Sequence, residues 1–289
     1  MERRVDPLTG VAVQVTGSRQ GRPNRPSLSG CPFCVGGVEA EQPYRVKAFE
    51  NRWSSYPDGR CEVVLYAPDH EARLSTLPAD HVRDVVDLWA DRTEALGSRP
   101  DLVYVLVFEN NGADVGATIP HPHGQIYAYP DVPPTPAVEL ARLADGYPLL
   151  EDRPDLVVVE RDGWRAWVPA ASVYPYGMRV APLERRPDLP TLDPAARAAF
   201  GSVLAEALGR LESVFDPPMP YMWWMHQRPF DGADWPRAWL HVEIVGPHRS
   251  PGVMRYVAAA ELGSGEYLNP VVPEEAAAAL RDVVWPTDR

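Results

Sequence analysis

Apolar positions in this chain fall into two spacings, and the switch between them occurs twice. The β-branched runs "CEVVLYAPDH" (61–70) and "DLVYVLVFEN" (101–110) end in polar or proline residues, as short strands do. Between them, "LPADHVRDVVDLWADRTEALGS" (77–98) places Val82, Val85, Val86, Leu88 and Trp89 largely on one face of a helix. The pattern predicts strand, helix, strand. The same order returns later: "GMRVAPLERRPDLPTL" (177–192), the Ala- and Leu-rich helix at 193–215, then the strand-like "MPYMWWMHQRPFDG" (219–232). After that, "AWLHVEIVGP" (238–247) holds the place that "HPHGQIYAYP" (121–130) has in the first half. Such self-similarity predicts a duplicated α+β unit, divided into 1–150 and 151–289. Two unrelated β-α-β stretches of like composition are the alternative.

Composition narrows the setting. The 33 prolines are scattered, so short elements should alternate with many loops. A chain of 289 residues buries an ample core without disulfide staples. Lys and Arg total 28 against 40 Asp and Glu, a formal charge of −12, and that field repels nucleic acid and anionic membranes. A phosphate-bearing substrate would need local positive groups. Three cysteines, Cys31, Cys34 and Cys61, are too few and too odd in number for a secreted disulfide framework. A cytoplasmic setting is expected, because the N-terminus has no apolar signal core and no run nears the ~18 apolar residues of a spanning helix.

The candidate chemistry lies in "FENNGADVGATIPHPHGQIYAYP" (108–130). In an extended segment residues i and i+2 share a side, so His121, His123 and Gln125 should line one face, with Pro122 stiffening the spacing. Asn110, Asn111, Gly112, Gly116 and Thr118 supply small groups and backbone N–H donors of the kind that gather around phosphate. A neutral imidazole can attack phosphorus and split one hard transfer into two easier ones. Gln125 adds an uncharged amide able to hold a phosphate oxygen without acting as an acid. Strand-end histidines with satisfied hydrogen bonds and no chemistry are the bland alternative, which fits a lone histidine better than this cluster.

The segment closely resembles the active-site stretch of the galactose-1-phosphate uridylyltransferases, the transferase branch of the histidine-triad superfamily, which carries Gln where hydrolases keep a third His. The likeness continues through "RVDPLTG", "SRQGRP", "CPFC", "FENRWSSYP", "APDH" and "LHVEI" in the same order. The resemblance implies an α+β fold of two histidine-triad-like halves sharing an extended antiparallel sheet flanked by helices, and a homodimer. It also implies a ping-pong reaction: UDP-glucose passes its uridylyl group to His123, and a hexose 1-phosphate, galactose 1-phosphate in the family, then takes it. By position Gln125 would contact the α-phosphate, while Asn51, Asn110, Gly116 and Thr118 match residues around the nucleotide and phosphates. Arg19 and Arg22 match basic residues near the phosphates.

Cys31 and Cys34 alone fit either a redox dithiol or half of a zinc site. The resemblance implies zinc, with His70 and His121 completing a Cys2His2 set. In that case His121 is held by metal while His123 stays available for chemistry. Some relatives have a second metal, zinc or iron, and Glu139, His226 and His241 fall at the corresponding places. The last position is Glu243 rather than His; carboxylates ligate both metals, so the set stands beside the reading of an ordinary polar strand.

The likeness thins in "RYVAAAELGSGEY" (255–267), where Arg255, Tyr256 and Glu261 match hexose-binding positions but Ala260 stands where Tyr is usual. Uridylyl chemistry is therefore better supported than the galactose. Rival readings are nucleotidyl transfer to another sugar phosphate or to inorganic phosphate, as in dinucleoside-tetraphosphate phosphorylases, and a nucleotide-binding regulator without catalysis. The tryptophans of 221–239 are expected in packing, and "ERRPD" (184–188) in a solvated loop.

Overall fold

The computed structural model describes residues 2–17 and 30–286. The first half contributes an N-terminal hairpin, β1 (Glu2–Val5) and β2 (Ala12–Val15), then β3 (Lys47–Glu50), β4 (Cys61–Leu65), α1 (Ala79–Gly97), β5 (Tyr104–Asn111), β6 (His123–Tyr129) and α2 (Pro134–Ala144). The second half follows with β7 (Val157–Arg161), β8 (Trp164–Trp167), β9 (Met178–Pro182), α3 (Pro194–Ser213), β10 (Tyr221–His226) and β11 (His241–Val245). A small hairpin, β12 (His248–Ser250) and β13 (Val253–Met254), and two helices, α4 (Ala259–Ser264) and α5 (Pro273–Asp282), close the described chain.

Nine strands form one antiparallel sheet in the order β3-β4-β6-β5-β10-β11-β9-β8-β7. The run β3-β4-β6-β5 is mirrored by β10-β11-β9-β8, and the two runs meet edge to edge at β5 and β10. Their register pairs Trp223 with Glu109 and Met222 with Asn110. The fold is thus the α+β arrangement expected from the duplicated pattern.

Strand alternation divides the labour of the sheet. Val105, Val107, Ile126, Ala128, Trp223, Met225, Val242 and Ile244 share one core with Val82, Val86 and Trp89 of α1 and with Phe200, Val203 and Leu204 of α3. The periodic stripe of α1 is what buries it: Val85, Val86 and Trp89 are fully enclosed. Asp193 caps α3 by accepting from Ala196 N at 2.8 Å, where its carboxylate also favours the helix N-terminus. The alternate residues, including His123, Gln125, Tyr127, His241 and Glu243, project from the opposite face. There Phe33, Ala40, Val63 and Leu65, with Tyr44 and Phe49 packed against them, form a separate small core that seats the "CPFC" segment on β4.

Two details differ from the expectations. β6 begins at His123, so His121 stands in the bend before the strand, and only His123 and Gln125 follow its alternation. In "ERRPD", Glu184 and Arg186 are exposed, but Asp188 is fully buried. Its carboxylate accepts from Thr191 N at 2.9 Å and pairs with Arg228, an anchor whose two sides lie far apart in sequence. Trp223 is in the core as expected, while Trp224 is only half-buried on the other face. Among the described residues no helix is long and apolar enough to cross a membrane.

Candidate active site

A cleft of about 590 Å³ runs over the end of β6, with Arg73, Asn110, Asn111, Thr118, His121 and His123 in its wall. His123 Nδ1 lies 2.7 Å from the carbonyl oxygen of His121. A carbonyl only accepts, so Nδ1 carries the proton and the lone pair is left on Nε2. The ring packs against Phe33, with centroids 5.1 Å apart. Strand pairing sets Leu65 opposite His123 and Val63 opposite Gln125. Gln125 Oε1 accepts from Asn51 Nδ2 at 3.2 Å, and Asn51 Oδ1 accepts from Trp53 N at 2.9 Å. With Oε1 so engaged, the NH2 is the end of the Gln125 amide that can donate.

Small residues in the motif have spatial reasons. A Cβ on Gly124 would lie 2.1 Å from Tyr66 Oη and 3.1 Å from the Phe108 carbonyl oxygen. Gly112 has φ +104, and a Cβ there would meet Pro220 at 2.6 Å; this lets the loop turn sharply away from β5. Asn110 Nδ2 donates to the Val115 carbonyl at 2.8 Å and closes the loop on itself. Gly116 ends its short helical turn in the left-handed region. Below the loop, Glu109 is buried and accepts from Tyr221 Oη and Trp223 Nε1, both at 2.9 Å. Burial outweighs these donors and pushes its carboxyl up to about 7.

Beside His123, one ligand atom from each of Cys31, Cys34, His70 and His121 lies within 4.8 Å of the others. Cys34 Sγ is 3.4 Å from His70 Nδ1 and 3.7 Å from His121 Nδ1. Bond lengths of about 2.3 Å to sulfur and 2.0–2.1 Å to nitrogen at tetrahedral angles would separate such donors by ~3.6 Å. The set therefore fits zinc. His121 turns Nε2 to the Ala67 carbonyl at 2.8 Å and Tyr44 Oη at 2.9 Å, which leaves Nδ1 for the cluster. Burial lowers its pKa to about 4, so the imidazole is neutral, as a ligand must be.

The second predicted group is divided. Glu139 from α2, His226 from β10 and His241 from β11 converge within 4.8 Å, and Glu243 stays outside that set. Glu139 Oε2 and His226 Nδ1 are buried 2.6 Å apart, yet neither has an aligned hydrogen-bond partner among the described residues. His241 Nδ1 is bonded to the Trp239 carbonyl at 2.8 Å, which directs Nε2 toward Glu139 at 3.4 Å. Burial opposes ionisation of Glu139, but the two histidines hold its carboxylate down to about 2. A void of about 10 Å³ adjoins these side chains. Converging but misaligned buried donors beside a void of one small sphere fit a cation.

Arg255, Tyr256 and Glu261 lie apart from the cleft. Arg255 and Glu261 are buried in a mutual ion pair, and Arg255 also donates to the Leu268 carbonyl at 3.0 Å. Tyr256 is 79% exposed beside a second hollow of about 370 Å³. Arg19 and Arg22 lie outside the described residues.

Comparison with known proteins agrees with this geometry. The family profile "Galactose-1-phosphate uridyl transferase, N-terminal domain" matches residues 39–133. The galactose-1-phosphate uridylyltransferase of Thermotoga maritima is 34% identical over 98% of this chain and 98% of its own. The chain belongs to the galactose-1-phosphate uridylyltransferase family. A solved uridylyltransferase structure superposes with a TM-score of 0.88 at 28% identity, over 97% of each chain. The ADP-glucose phosphorylase of Arabidopsis thaliana is 27% identical over 98% of this chain and 93% of its own.

Within the family site, reading the sequence missed three contributors. Phe33 lay inside the quoted "CPFC" and could have been found as the apolar spacer between two ligands. Arg73 was signalled only by its place three residues after His70; it is the cation in the cleft wall among the described residues. Tyr44 carried no signal, because its role depends on contacts with residues 11, 23 and 77 positions away.

Proposed function

We propose that this protein transfers a uridylyl group from UDP-glucose to a hexose 1-phosphate, with galactose 1-phosphate as the acceptor. The observation that carries the reading is the His123 Nδ1 bond to the His121 carbonyl, with the Gln125 amide oxygen two residues on engaged by Asn51. His123 Nε2 attacks the α-phosphorus; a P–N bond forms while the bond to the β-phosphate oxygen breaks, and glucose 1-phosphate leaves with the electron pair. A phosphate oxygen of the acceptor then attacks the same phosphorus and the P–N pair returns to His123. Nδ1 keeps its proton throughout. Gln125 donates to a non-bridging oxygen in both steps, where charge builds on the phosphoryl group.

Zinc would be held by Cys31, Cys34, His70 and His121, and when bound it supplies a structural cross-link. His121 then anchors the bend from which His123 projects, and small misplacement of a nucleophile costs large factors in rate. Glu139, His226 and His241 would hold a second metal, zinc or iron. Thr118, Asn110 and Gly116 would face the phosphates with Arg73; Arg19 and Arg22 would add charge to the phosphates, and Arg255, Tyr256 and Glu261 would contact the hexose. We place the boundary between halves at 150/151, and read the protein as cytoplasmic and homodimeric. The exposed Val5, Leu8, Val11 and Val13 of the N-terminal hairpin support the dimer.

Incubation with UDP-glucose should give a uridylyl adduct by intact mass, absent in His123→Gly. Bound UDP-glucose with no adduct would refute the enzyme. A second reading, transfer to inorganic phosphate or another sugar phosphate, is favoured by the mutual engagement of Arg255 and Glu261. An acceptor screen against the labelled adduct separates the two.

A further inference from the structure

Glu243 lies on β11 two residues from His241, and its carboxylate, were it to enter the cluster, would join Glu139 as a second anion beside two buried histidines. The strand register engages that carboxylate elsewhere. Glu243 on β11 lies directly opposite Arg179 on β9, and Arg179 Nε donates to Glu243 Oε1 at 2.5 Å. The same Oε1 is the carboxylate oxygen that comes within 4.0 Å of His241 Nε2. Arg179 thus occupies the oxygen best placed to enter the cluster. The glutamate and the arginine together carry no net charge, as a neutral imidazole does.

We propose that Arg179 is a positioning residue that withdraws Glu243 from the second metal centre, leaving Glu139, His226 and His241 as its protein ligands. The proposal rests on the reading of that cluster as a metal centre. A set of two imidazoles and one carboxylate serves iron(II) or zinc. The guanidinium suits this task because its charge does not titrate and its planar fork holds a carboxylate in a fixed direction. Arg179 and Glu243 are only partly exposed, so bulk water screens the pair incompletely.

The test is metal stoichiometry and cobalt(II) spectroscopy on the full-length protein. Sulfur-to-cobalt bands report the Cys31–Cys34 site, and visible d–d bands without sulfur character report the second. The parent chain should bind two ions and His226→Ala one. Glu243→Gln should still bind two, with second-site affinity up to about tenfold weaker, because a non-ligand is lost but Arg179 is left an unpaired cation beside the metal. Arg179→Met should release Glu243 to the metal, tightening the second site about tenfold and changing its d–d bands. The double variant R179M/E243Q, which leaves no unpaired charge, should return both properties to parental values. Loss of the second ion in Glu243→Gln and in the double variant would overturn the proposal, as would an unchanged affinity and spectrum in Arg179→Met. A parent chain that binds one ion, with His226→Ala no different, would instead refute the metal centre itself, and the proposal with it.

Discussion

Glu109 lies on β5, three residues before the turn at Gly112, and its charge state should be visible in stability. Its carboxyl is raised from 4.5 to about 7, chiefly by burial, with Trp223 and Tyr221 as opposing donors. A carboxyl with a raised folded pKa binds more protons in the native state between those values. Stability then falls as pH rises through that window and levels off above it. The shift corresponds to about 3 kcal/mol lost between roughly pH 4.5 and 7.5. Glu109→Gln cannot ionise, so it removes this slope. The amide keeps one acceptor but turns an NH2 toward either Tyr221 or Trp223, leaving a buried mismatch that costs about 1–3 kcal/mol. The variant should therefore be less stable than the parent near pH 5, and match or exceed it near pH 8. Urea unfolding of both proteins from pH 5 to 8.5, followed by tryptophan fluorescence, measures the difference. Parallel curves, with a constant gap at every pH, would refute the assignment of a raised carboxyl to Glu109.

Three other outcomes follow from the geometry. Gly124→Ala should destabilise by about 1–3 kcal/mol, because its Cβ would lie 2.1 Å from Tyr66 Oη. Tyr66→Phe added to it should recover part of the loss, and an unaltered melting temperature in the single variant would contradict the packing argument. Asn51→Ala removes the donor to Gln125 Oε1, so kcat should drop about tenfold, the worth of one hydrogen bond, with unfolding unchanged; parental kcat would show that Gln125 needs no such support. Arg73→Met should raise KM for phosphorylated substrates by about ten- to a hundredfold at low salt, and the difference should narrow at high salt as the parent's attraction is screened. A salt-independent change in kcat alone would place Arg73 outside phosphate binding.

Local order was legible in the residues themselves. The apolar stripe of α1, the β-branched runs of β4 and β5 and the repeat of that order in the second half depend on neighbours within a few positions. Period and propensity act over that range. The grouping of His123 with Gln125, and of Cys31 with Cys34, was legible for the same reason: short spacings fix which side chains can lie together. Even there the local reading overreached at one residue, since His121 was placed with His123 on a strand face. Burial against Tyr44 and Ala67 turns it to the cysteines instead.

The partners of charged residues were decided by the tertiary structure alone. Nothing near Asp188 marks it for full burial, because Arg228 reaches it from 40 residues away. Arg179 and Glu243 are 64 residues apart and meet only through the pairing of β9 with β11. Glu109 looks like any strand-end carboxylate until β10 sets Tyr221 and Trp223 against it. Periodicity tells which face of a strand a residue occupies; strand order and register tell what stands opposite. Desolvation, ion pairing and metal-ligand convergence are properties of that opposing neighbour, so they arise only when the sheet closes.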